Sequence, residues 1–185
     1  APESIAMVRE GYRKAKLFDP REEADKDTGG GFGVATGSFP ADKAKGKKLV
    51  YSGWIRTEDL QNGFAGLWWR CDLAAGKTGA FDNMADRGPK GTTDWTEYRV
   101  ELDVPAETAN INFGVIMPGK GKAWFDDLKI ELDGQEYRDP ATFGFDFEGD
   151  EPLGFGYMST GAYSVSVDHD QAHGGKGSLK VECVG

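Results

Sequence analysis

Residues 95–103 read WTEYRVELD and residues 64–72 read FAGLWWRCD, and both alternate. In the first, Tyr98, Val100 and Leu102 oppose Glu97, Arg99 and Glu101; in the second, Leu67, Trp69 and Cys71 oppose Trp68, Arg70 and Asp72. Successive side chains of a β-strand point to opposite faces, so a period of two gives each segment an inner and an outer side. Residues 48–58 follow the same rule, with Leu49, Tyr51 and Ile55 opposed to Val50, Trp54 and Arg56.

Working outward, strand-like segments recur at 32–39, 48–58, 64–72, 78–83, 95–103, 110–117 and 122–132. They are separated by turn pairs such as Asn62-Gly63, Ala75-Gly76 and Pro118-Gly119, residues that reverse the chain readily. A second group follows at 143–148, 154–158, 161–168 and 177–184, with a Gly-rich turn at 173–177 before its last member. Strands at this spacing predict an all-β sandwich of the jelly-roll kind. The composition agrees, with 27 glycines and 12% aromatic residues in 185. Only residues 3–18 carry apolar side chains at helical spacing (Ile5, Val8, Tyr12, Ala15), which predicts one short N-terminal helix. Residues 19–31 are charged and then Gly-rich, and predict a linker. The expected organisation is therefore helix and linker over 1–31 and one sandwich over 32–185.

A formal net charge of −9 with scattered Lys and Arg argues against nucleic acid and anionic membrane as partners. No run approaches a membrane span, and no leader-like segment precedes Ala1, so a soluble, already processed protein is expected. Cys71 and Cys183 are compatible with one disulfide or with two thiols. G-x-S-x-G, H-E-x-x-H, C-x-x-C and the phosphate-binding glycine fingerprint are all missing, so no catalytic set is expected. His169 and His173 beside Asp168 and Asp170 invite a metal reading, but they lie at a strand end and turn, where solvated side chains are the commoner finding.

Several motifs carry a family likeness: FGFDFEG at 143–149, His173-x-Gly175-x-x-Ser178-Leu179, GWIRTE at 53–58, AGLWWR at 65–70, FDNM at 81–84, GTTDW at 91–95 and GKGKAWFDD at 119–127. Together, over about residues 30–185, they resemble carbohydrate-binding β-sandwich modules of the galactose-binding-like kind. The nearest resemblance is to an uncharacterised branch found beside bacterial esterases, peptidases and regulators. In that family the strands found here at the C-terminus normally come first, so the chain resembles a circular permutant. Its C-terminal strands then close their own sandwich, or complete a neighbouring chain, giving a homodimer by strand exchange, or open a second tandem module cut short, which would leave two sheet edges unpaired.

The resemblance implies a non-catalytic glycan-binding module, secreted or periplasmic; the alternative is a structural or assembly module that binds protein. Alternation places Trp54, Arg56, Trp68 and Arg70 outward as an aromatic and cationic platform, with Asp82, Asn83, Asp86 and Arg87 of the following loop as a rim. The same rings read equally well as core, and the loop as a set of Asx turns. Phase also groups Asp126 with Trp124, Leu128, Ile130 and Leu132 on the core side, where a carboxylate needs a partner. The family implies a structural calcium held by Asp126, Glu148 and the backbone carbonyl near Lys176; the alternative is that both carboxylates bind backbone amides.

Overall fold

The computed structural model describes residues 31–160 and 162–185. The helix expected at 3–18, and the linker up to residue 30, lie outside the described residues. The alternating segments form β1 (Phe32–Phe39), β2 (Lys48–Gln61), β3 (Gly66–Leu73), β4 (Thr78–Asp82), β5 (Gly91–Asp103) and β6 (Thr108–Pro118). They continue as β7 (Lys120–Leu132), β8 (Gln135–Tyr137), β9 (Gly156–Thr160), β10 (Tyr163–Asp168) and β11 (Ser178–Cys183). Among the described residues the one helix is the four-residue turn α1 (Ala41–Ala44).

Two antiparallel sheets result, one ordered β4-β3-β6-β1-β9 and the other β10-β11-β7-β2-β5 with β8 on β7. The chain is an all-β sandwich. Its core lies between the inner faces, where Leu49, Tyr51 and Ile55 of β2 meet Trp69, Cys71 and Phe113 of the opposite sheet. Tyr51 ties the layers together, donating its hydroxyl to the Gly114 carbonyl at 3.0 Å. That bond satisfies a buried polar group that would otherwise cost stability, and burial lifts the phenol far above its ordinary value.

The C-terminal strands complete this sandwich within one chain. β9 pairs with β1, from Phe32 opposite Thr160 to Thr36 opposite Gly156, and β11 pairs with β7, from Leu179 opposite Phe125 to Glu182 opposite Lys122. Strand exchange with a second chain is therefore not needed to close either sheet. The segment between β8 and β9 joins the core through Phe143, Phe147 and Phe155, with Phe143 and Phe155 packed 5.5 and 5.6 Å from Phe113. Cys71 and Cys183 are both free thiols, Cys71 buried and Cys183 half-buried, so the disulfide alternative is set aside.

The phase of β7 departs from the sequence reading. Opposite β2 the register steps from Ser52–Lys129 to Trp54–Asp126, so β7 spends one residue more than β2 there. Asp127 takes φ +50 at that point. A bulge of this kind reverses the alternation beyond it. Ala123 and Phe125 face the core on one side of the bulge, and Leu128, Ile130 and Leu132 on the other. Trp124 and Asp126 therefore face outward, not into the core as unbroken alternation predicts.

Candidate functional site

The outer face of the β10-β11-β7-β2-β5 sheet gathers aromatic and charged side chains. β2 presents Trp54 and Arg56, β5 presents Trp95, and β7 presents Trp124 and Asp126. Trp124 sits between two cations, the Arg56 guanidinium and the Lys180 ammonium, each 5.9 Å from its ring centre. Its indole N–H donates to Asp168 at 2.8 Å. Only 3% of Trp124 is exposed, so the long stems of its neighbours cover it. Arg56 also approaches Asp94 at 3.6 Å.

Trp54 carries the His173 imidazole flat on its ring, 3.9 Å away and 14° from parallel, while Trp95 meets the same imidazole edge-on at 5.8 Å. His173 Nδ1 lies 2.7 Å from an Asp127 carboxylate oxygen, which fixes the plane of the ring. The His173 reading as a plain solvated turn missed this stack, because its partners are more than 45 residues away in sequence.

The loop bearing His173 is held by two carboxylates. Asp126, fully buried, accepts the amides of His173 and Gly174 at 2.9 and 3.0 Å and that of Asp127 at 2.8 Å. Glu148 accepts the Lys176 amide with both oxygens, at 2.9 and 2.8 Å, and Gly177 at 3.3 Å. Gly175 takes φ +67 and passes so close that a side chain there would run into the Glu148 carboxylate, which is why the turn requires glycine. Burial pushes the Asp126 carboxyl up to about 6, against the downward pull of its amide bonds.

Both carboxylates of the expected calcium set bond backbone amides, as the alternative reading has it. The Lys176 carbonyl, the third expected ligand, lies 3.1 Å from His169 Nδ1. Among the described residues no group of three or more His, Cys, Asp or Glu side chains converges at metal-binding spacing.

The expected platform is divided between the two sheets. Trp54 and Arg56 lie on the outer face just described, but Trp68 and Arg70 belong to β3 in the other sheet. Trp68 is 1% exposed and packs with Phe32, Val34, Phe64, Ile116 and Met158 in a second apolar cluster. Its expected exposure is corrected: Trp68 and Trp69 point to opposite faces, and both faces of β3 are covered. Arg70 is 3% exposed and engages Asp72 at 2.9 Å and Thr78 at 3.2 Å. The expected rim closes on itself. Arg87 grips Asp82 at 2.7 Å and Asp86 at 2.9 Å and donates to the Arg99 carbonyl. Asp82 and Asn83 accept the amides of Met84 and Ala85, the Asx turns of the alternative reading.

Fold and site thus define a β-sandwich module with one aromatic, strapped outer face. No family model matches the chain. The chain is 43% identical over 102 residues to the uncharacterized HTH-type transcriptional regulator YbfP of Bacillus subtilis (strain 168). The matched stretch is 55% of this chain and 34% of that protein, so the chain spans about a third of its relative's length. This finding overturns the carbohydrate-binding expectation and the glycan partner with it, since a relative at this identity is named as a regulator of transcription. The exclusion of nucleic acid is withdrawn for the same reason. Net charge describes the field of a whole chain, and a charge of −9 says nothing about partners met through other parts of a longer protein.

Proposed function

We propose that the sandwich is the regulatory module of a helix-turn-helix transcriptional regulator, and that nucleic acid is the partner of the protein as a whole. The observation that carries this reading is the 43% identity to a stretch of a protein named as such a regulator. The fold supports the division of labour. A helix-turn-helix needs two helices, the second lying in the major groove, and among the described residues the one helix is four residues long. The role left to the sandwich is to govern the DNA-reading part.

Selection of duplex DNA by the intact protein tests the proposal. Rounds of capture from a random-sequence pool should enrich a common motif, with binding that weakens steeply as salt rises because phosphate contacts release counterions. A pool that emerges unenriched contradicts the reading.

A further inference from the structure

A pocket of about 560 Å³ opens where β7 and β8 meet the segment 139–153, within the range of cavities that hold small ligands. Its apolar lining comes from Tyr137, Phe143, Phe145 and Leu153. Phe143 and Phe145 stack 5.3 Å apart and 13° from parallel. Leu153 is 49% exposed at its edge. The walls are pinned by main-chain bonds from Leu128 to Phe145 and from Gly144 to Leu153, each 3.0 Å, so the shape exists without a ligand.

Carboxylates outnumber cations around the mouth. Glu136, Asp139 and Asp146 line it, as does one cation, Arg138, and none of them forms an ion pair among the described residues, while Lys129, which also lines it, is tied to Glu131 at 3.1 Å. The charge of Asp139 reaches inward, adding to burial in pushing the Tyr137 hydroxyl above its ordinary value. Aromatic side chains and unpaired carboxylates around one cavity suit a cation that carries an apolar body. An ammonium group is attracted both to carboxylates and to the faces of aromatic rings, whereas an anion would be repelled and a bare metal ion would leave the rings unused.

We propose that this pocket binds a small organic ammonium compound, with its cationic nitrogen at the Asp139 and Asp146 mouth and its apolar body on the Phe143–Phe145 floor. The inference rests on the cavity and does not depend on the regulatory reading. The test is calorimetric titration of the chain with phenethylammonium, with 2-phenylethanol as the uncharged analogue and ammonium chloride as the charge without a body. Phenethylammonium should bind saturably and at least about tenfold more tightly than either control, and Asp139→Asn with Asp146→Asn should weaken it by at least about tenfold. The two substitutions are isosteric, Asp146 is exposed and Asp139 half-buried, and circular dichroism should show an unchanged fold. Absence of saturable heat up to about 10 mM, equal affinity for the alcohol, or equal affinity for ammonium would each overturn the proposal.

Discussion

Asp126 is the residue on which the most local structure depends, because its buried carboxylate receives three amide N–H groups from its own strand and from the loop over Trp54. Its carboxyl is raised from 3.8 to about 6, so the folded state holds a proton that the unfolded chain releases at lower pH. Stability from this source is fully present below pH 3.8 and is lost as pH rises through 6, a change of roughly 3 kcal/mol. Urea unfolding at a series of pH values should therefore show the wild type losing ground to Asp126→Asn between pH 4 and 7. Parallel curves for the two proteins would show that the carboxylate is not so placed. Trp68 and Trp69 make the second residue-scale case. Both are buried, in separate clusters, so each Trp→Ala change should cost roughly 3–5 kcal/mol. A Trp68→Ala protein as stable as wild type would show that the outer cluster contributes nothing.

The element that decides the site is the bulge in β7 together with the loop it carries. Without the extra residue at Asp127, Asp126 would face the core and the loop would lose its anchor. Because backbone amides already bond Asp126 and Glu148, excess EDTA should leave the melting temperature unchanged, and added calcium should not raise it. A calcium-dependent rise would mean that the loop rearranges to offer oxygens, since a ligand selective for the folded state stabilises by RT ln(1 + [L]/Kd). Elements of this kind mark the limit of what alternation discloses. The strands at 95–103 and 64–72 were legible because their period is unbroken, whereas one inserted residue in β7 turned Trp124 and Asp126 to the other side. The bulge leaves no mark in the pattern, because Phe125 and Leu128 are apolar whichever phase is assumed.

At the scale of the whole molecule, the C-terminal strands close both sheets, β9 beside β1 and β11 beside β7. A chain ending at residue 138 would lose those partners and the Phe143 and Phe155 rings around Phe113. It should be insoluble or bind hydrophobic dyes, because two long sheet edges would be left open. A well-folded monomer of that length would contradict the closure. The sandwich was thus readable from period, turns and motifs. Its site was readable only in pieces, because Trp54 meets His173 across more than a hundred residues of sequence, and neither adjacency in a strand nor a motif records that meeting. Function was the least legible. Rings and cations on a sheet face suit many ligands, and the likeness to a regulator came from comparison rather than from any single residue.

The central claim, that the sandwich governs a transcriptional regulator, is tested most directly by transcript profiling of cells whose gene carries an in-frame deletion of residues 31–185. The account predicts altered expression confined to a defined set of promoters, the same set that responds when the whole gene is removed. Transcript levels indistinguishable from wild type in both strains would contradict it.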